Sequence, residues 1–231
     1  MQIATKIDAL SKIYDIYDAF SKGLTVACER GCATCCTDDV IMTALEGYCI
    51  LGHLIDAGKM DLLEGVRSTA HQSRFQPAIT TNDLAALCLQ GEDPPEERSD
   101  YSRSPCQFLS NKECLIYQVR PFGCRCFFST QKCEEAECAV VDPFVVTVNT
   151  VFLQFIEHID AGGFFGNMTD VLLFLESETQ RRDYETQAST SYSGSLARNR
   201  AIPALVVPPE HQSKLQPILD KLKKTEISVT V

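Results

Sequence analysis

The sequence predicts a mainly α-helical fold in which irregular, cysteine-rich loops and one short β-hairpin are clamped against the helices. Three observations carry this expectation. Apolar residues recur at helical spacing along most of the chain. Ten of the twelve cysteines fall into two groups: Cys28, Cys32, Cys35 and Cys36, then Cys106, Cys114, Cys124, Cys126, Cys133 and Cys138. The second group lies in residues 106–138, a stretch of little periodicity that follows a polar, proline-containing loop.

Residues 2–21 place Ile3, Ile7, Leu10, Ile13, Tyr14, Tyr17 and Phe20 at helical spacing, and Gly23 supplies a stop. A second amphipathic helix is expected over 40–57, with Ile41, Leu45, Tyr48, Leu51, Leu54 and Ile55 as its buried stripe and Gly58 at its end. A third is expected over 60–73, and a short fourth over 81–90 with Thr81 or Asn82 as cap. Residues 91–105, GEDPPEERSDYSRSP, read as a surface loop. Segments 106–109 and 114–117 are expected to form a hairpin across 110–113. Arg120-Pro121 then enforces a turn, since the residue before proline avoids the helical region.

Asp142-Pro143 reads as a cap followed by proline at the first helical position, opening a helix that runs to about 159. Gly162-Gly163 breaks the chain, and Asn167 or Thr169 caps a further helix over about 170–185. Residues 188–200 look loose, 204–207 read as a short extended piece and 210–224 as a last helix. Residues 1–140 are expected to form the cysteine-rich part, and 141–231 a helical region packed on it as one compact unit.

A chain of 231 residues at 45% hydrophobic can bury a core without disulfides. Its formal charge of −10 repels a sugar–phosphate backbone and argues against nucleic-acid binding. The first twenty residues carry Asp8, Asp15 and Asp18 and have no continuous apolar core, unlike a targeting signal. No stretch reaches the ~18 apolar residues of a spanning helix. The expectation is a soluble, cytoplasmic protein without a membrane partner. In a reducing compartment, many cysteines point to metal or redox chemistry.

In the run CERGCATCC, three sulfurs converge either on one helical face, at i, i+4 and i+7, or around a tight turn at Gly31. Cys35 and Cys36 are adjacent, so their side chains diverge, and one of them serves a different centre or bonds elsewhere. Cys124 and Cys126 share a side if their segment is extended. Cys106 and Cys114 flank the expected hairpin. With the first group these make eight sulfurs, enough for two four-thiolate sites of zinc or of a cubane cluster. Cys133 and Cys138, with Glu134, Glu135 and Glu137 around them, complete or line a site. Cys49 and Cys88 read as small buried hydrophobes. His53, His71, His158 and His211 are scattered and read as ordinary core or surface residues. A tetrathiolate centre is net negative, and Arg30, Arg120 and Arg125 lie inside the cysteine segments where they can offset it.

The run CERGCATCC followed by SPCQFLSNKECLIYQVRPFGCRCF resembles the YkgJ-type, or CxxCxxCC, proteins, which are described as zinc- or iron-chelating domains. The pattern C-x3-C-x2-C-C, then P-C-x-F-L, C-x-I-Y, R-P and C-R is present in order. VIMTALEGYCI is similar to the helix that follows the first cluster in that family. The resemblance covers about residues 25–130. It implies metal binding by Cys28, Cys32, Cys35, Cys36, Cys106, Cys114 and Cys124, with Arg120 and Arg125 beside them. Cys126, Cys133 and Cys138 go beyond the pattern. A related cysteine pattern in flagellin lysine N-methylases implies that some relatives are iron–sulfur enzymes. The chain carries no glycine-rich nucleotide loop, no HExxH and no Walker motif.

Together these readings predict a metal-binding protein with one or two iron–sulfur clusters, of which [4Fe–4S] is favoured, and a redox or enzymatic use. The alternatives are a structural zinc module that orders an interaction surface, and a metal carrier. The expected partners are a metal ion or cluster and a second protein.

Overall fold

The computed structural model describes residues 1–97, 101, 103–136, 138–188 and 194–225. Glu137 and parts of the loops expected over 91–105 and 188–200 therefore lie outside the described residues. The protein is mainly helical, with 52% helix and 7% strand. Helix α1 (Ile3–Ser21) turns Ala9, Leu10, Ile13 and Tyr17 inward. Strand β1 (Ile41–Thr43) leads directly into α2 (Ala44–Asp56). A single 3-10 turn precedes the short α3 (Leu63–Ser68), and α4 (Thr81–Gln90) follows.

Strands β2 (Leu109–Ser110) and β3 (Glu113–Cys114) form the expected hairpin, shorter than the sequence suggests. Its turn holds Asn111 and Lys112 at φ 50° and 63°, and positive φ at both turn residues matches the right-handed twist of a tight hairpin. Two four-residue helices follow, α5 (Phe122–Arg125) and α6 (Cys133–Ala136). Helix α7 (Pro143–Ile159) starts as expected, with Asp142 accepting from Phe144 N and proline at its first position. Strand β4 (Phe164–Asn167) precedes α8 (Met168–Glu176) and α9 (Glu178–Thr186). Strand β5 (Ala197–Arg198) and α10 (Gln212–Lys223) are the last elements among the described residues.

Helices α1, α2, α4, α7 and α8 enclose one apolar core, in which Ile13, Leu45, Leu51, Val148, Phe152, Phe155 and Leu175 are fully buried. Both halves of the chain contribute to it. The antiparallel sheet β1–β4–β5 joins them again, with Ile41 opposite Asn167 and Phe164 opposite Arg198. No helix among the described residues is long and apolar enough to cross a membrane.

Several local expectations are corrected. The helix expected from residue 40 begins at Ala44, because Ile41–Thr43 pairs with a strand more than 120 residues away. Thr43 and Glu46 form a capping box at that start. The cap of α4 is Thr80, again in a capping box, with Asp83. The helix expected over 170–185 is split at Ser177, whose extended backbone (ψ 125°) separates α8 from α9. Residues 204–207 pair with no strand. They are held by the buried Gln154, which donates to Ala204 O at 2.8 Å and accepts from Val206 N at 2.9 Å.

Glu157, fully buried on α7, accepts from Thr81 N and Asn82 N at the start of α4, both at 2.8 Å. Burial pushes its carboxyl up to about 7, against the pull of those N–H donors, while neighbouring Asp83 adds to the rise. Arg200 pairs with Asp83 at 3.3 Å, on the outer side of the same cap. Between pH 4.5 and about 7 the folded protein holds a proton that the unfolded chain has released, so stability falls as pH rises through that window. A shift of this size corresponds to roughly 3 kcal/mol. In urea titrations at about pH 5 and about pH 8, the wild type is expected to lose roughly that much relative to Glu157→Gln. An unchanged difference between the two proteins at the two pH values contradicts the assignment.

Candidate functional site

All twelve cysteines are free thiols. The first cysteine segment is neither helical nor extended. It consists of two consecutive turns, closed by Cys32 N donating to Glu29 O and Cys36 N donating to Ala33 O, both at 3.0 Å. Gly31 sits in the first turn at φ +86°, a conformation open to glycine and strained for other residues. Of the two geometries open from sequence, the tight turn is therefore the one present.

Residues 36–38 then run antiparallel to 104–106. Cys106 N donates to Cys36 O at 3.0 Å, Thr37 bridges Pro105, and Asp38 N donates to Ser104 O at 2.9 Å. This short pairing joins the two cysteine groups. The hairpin continues it, since Leu109 is paired with Cys114 and Leu115 N donates to Phe108 O at 2.8 Å. Phe108, Ile116 and Phe122 fix the segment to the core, each at most 3% exposed.

Phe122 is held most firmly. Its ring stacks on Phe152 at 5.8 Å and meets Tyr17 edge-on at 4.8 Å. Its N–H donates to Glu46 Oε1 at 2.7 Å. The same oxygen accepts from Tyr14 OH at 2.7 Å, while Oε2 accepts from Thr43 N and Thr43 Oγ1 at 2.8 and 2.9 Å. One buried carboxylate thus joins α1, the start of α2 and the start of α5. Glu46 was not among the site candidates. The signal for it was present as T-x-x-E before an apolar run.

Helix α5 overturns the extended reading of Cys124 and Cys126. Cys124 N and Arg125 N both donate to Pro121 O, and Cys126 N donates to Phe122 O at 2.9 Å, so the two cysteines project differently. The Cys36 thiol lies within electrostatic reach of Cys106, Cys114 and Cys124. Cys124 reaches Cys106 and Cys114 in turn. Cys126 instead sends its thiol to Gly123 O at 3.7 Å. Its carbonyl accepts from Asn149 of α7 at 3.2 Å.

Burial raises the Cys28 thiol, the Ser129 N–H pulls it down, and the charges of Cys32, Cys35 and Cys133 add smaller upward contributions. Charge on Cys35 acts on Cys28 whereas charge on Cys106, Cys114 and Cys124 acts on Cys36, but the adjacent Cys35 and Cys36 are not held apart. They stay in contact, because the Cys35 S–H donates to Cys36. That hydrogen bond lowers the Cys36 thiol below the usual range and raises Cys35. Burial raises Cys106, Cys114, Cys124 and Cys28, and pushes Cys126 up to about 12. Cys138 is exposed, Cys88 is exposed on α4 rather than buried, and Cys49 is half-buried against the core. Among the described residues no three Cys, His, Asp or Glu side chains close to the spacing that a single ion requires.

The arginines take different places. Arg120 donates to Tyr117 O at 2.8 Å, lies 3.7 Å from the Tyr117 ring and slightly opposes, through its charge, the rise that burial imposes on Cys114 and Cys124. Arg125 spends its donors on Arg120 O and Gln118 O at 3.0 and 2.9 Å, and packs over Tyr14 at 4.2 Å. It braces the Arg120-Pro121 turn from the α1 side. Arg30 pairs with Glu113 at 2.6 Å and links the first turn to the hairpin on the exposed surface. His158 accepts from Ile202 N at 3.1 Å and His211 Nδ1 lies 2.8 Å from Thr147 Oγ1, so both serve packing.

No family model, no curated protein and no solved structure matches the chain.

Replacing Glu46 strips the acceptor from four buried or half-buried donor groups at once. Glu46→Ala is expected to cost about 3 to 5 kcal/mol in chemical denaturation, with Glu46→Gln costing less because one carbonyl oxygen remains. Equal stability of Glu46→Ala and wild type contradicts the role given to this carboxylate.

Proposed function

We propose that the chain is a metal-binding protein whose principal centre is held by Cys36, Cys106, Cys114 and Cys124, with an iron–sulfur cluster, [4Fe–4S] first, as the occupant. The observation that supports this reading is the tethering of the Cys36, Cys106, Cys114 and Cys124 segments to one another by the 36–38/104–106 pairing and the hairpin, and to the core by Phe108, Ile116 and Phe122. Soft thiolates without hard oxygen donors suit iron–sulfur clusters and zinc. A bound metal keeps its thiolates ionised, which reverses the upward pull of burial on Cys106, Cys114 and Cys124. Arg120 supplies a compensating positive charge beside two of the four sulfurs. The motif resemblance to the YkgJ-type proteins supports the same reading.

The helices would then clamp the cysteine loops around the centre, and its use would be redox or enzymatic. Exposed Leu115, Tyr117 and Phe127, in the same segment, suit contact with a protein partner. The second reading is a structural zinc module. It is favoured by the C-x2-C spacing of Cys32 and Cys35, which are exposed.

Protein purified without oxygen is expected to be brown, with a broad absorption band near ~400 nm and iron and acid-labile sulfide in comparable amounts. Cys124→Ser is expected to abolish that band. A colourless protein with stoichiometric zinc rejects the cluster and supports the zinc reading. A protein that binds neither metal rejects both.

A further inference from the structure

We infer that the cleft between the end of α1, the loop after α5, the start of α7 and α10 binds a small monocarboxylate with an apolar body. The inference goes beyond the metal reading and does not depend on it.

The cleft has a volume of about 340 Å³, at the lower end of the roughly 300–1,000 Å³ of small-molecule sites. Leu24, Phe128, Val141, Phe144 and Val145 give it apolar walls, and Val145 is buried. These walls are held from several sides. The Phe144 ring stands edge-on to Phe20 of α1 at 6.4 Å and to His211 at 5.4 Å. After α1 the chain turns, with Gly23 N and Leu24 N donating to Phe20 O and Ser21 O at 3.1 and 3.0 Å. Ala27 N donates to Ser129 O, and Thr130 N to Val140 O, both at 2.8 Å. The three segments that carry Leu24, Phe128 and Val141 are thereby laced side by side. Ser129, between Phe128 and Thr130, also donates its N–H to Cys28 Sγ at 3.4 Å, so the cleft shares a wall with the first cysteine segment.

Charge selects the ligand. Two charged residues line the cleft, Asp142 and Lys214. One Asp142 oxygen accepts from Phe144 N at 2.8 Å, and the positive end of α7, a helix of 17 residues, offsets its charge. Lys214 forms no ion pair among the described residues. Its Nζ lies 5.4 Å from the centroid of the Phe144 ring, which keeps the ammonium at the cleft wall. Lys214 is thus the cation left for a ligand. A carboxylate can meet it with a charge-assisted hydrogen bond while the rest of the molecule covers the apolar walls. A polyanion would bring several charges to one lysine, in a chain of net charge −10. A single negative charge on an apolar body matches both the lysine and the walls.

The test uses the full-length protein with 4-fluorophenylacetate and 4-methylpentanoate at millimolar concentration, followed by titration calorimetry. At least one acid is expected to bind, and its neutral amide to bind about tenfold more weakly. Lys214→Met, at an exposed position, is expected to weaken the acid by a similar factor and leave the amide unchanged. Thr25→Trp, also exposed, places a large ring in the cleft and is expected to abolish binding of acid and amide alike. Unfolding transitions like that of the wild type show that both variants fold. Binding of neither acid overturns the site. Equal affinity for acid and amide overturns the carboxylate assignment, and full binding by Thr25→Trp places the ligand elsewhere and overturns the cleft. None of these readouts is metal content, so a chain found to hold no metal can still pass this test.

Discussion

The Glu46 carboxylate is the interaction on which the cysteine region depends. It is 3% exposed and accepts four hydrogen bonds of 2.7 to 2.9 Å from Tyr14, Thr43 and Phe122. Its position at the start of α2 suits a negative charge, because the first turn of a helix presents unpaired N–H groups. From there it fixes the first residue of α5, and with it the direction in which Cys124 projects. Phe122 adds the apolar half of the anchor, between Tyr17 and Phe152. Burying an aromatic ring of this size contributes a few kcal/mol, roughly 3 by analogy with other core phenylalanines. A segment otherwise built of turns is thus tied to the helical core by one carboxylate and one ring.

A second buried carboxylate, Asp160, ties the same helix start to the far end of the fold. It accepts from Leu45 N at 3.3 Å, Lys6 at 3.1 Å, Tyr184 OH at 2.6 Å and Asn199 at 3.0 Å. Burial raises its pKa, and the Lys6 ammonium pulls against that rise. Glycine is required at 163, where a Cβ would lie 2.4 Å from Asp160 Oδ2. The amino end of α2 is therefore where α1, α5, α9 and the β4–β5 ladder are joined. It also follows directly on the first cysteine segment, so the site inherits its orientation from the best-connected point of the core.

Much of the fold was legible in sequence wherever local signals decide structure. The periodicity of Ile3, Leu10, Ile13 and Tyr17 marks α1, and Asp142-Pro143 marks the start of α7. Strand β1 was not legible, because Ile41–Thr43 owes its conformation to residues 165–167 rather than to its neighbours. At the site, the loop that carries Cys133 is tied to Cys28 through Ser129, a residue with no chemical signature of its own, so nothing in the sequence marks the link. Cys124 and Cys126 point apart for a tertiary reason. Phe122 is drawn into the core, and the chain after it coils instead of extending.

Amide hydrogen exchange on the metal-free protein tests most directly whether the core, and not the metal, orders the second cysteine segment. The account predicts slow exchange at Phe122, Leu115 and Cys126, whose N–H groups donate to Glu46, Phe108 O and Phe122 O, and fast exchange at Cys32 in its exposed turn. Exchange at Phe122 and Leu115 as fast as at Cys32 would contradict it, and would make metal the organiser of the whole region.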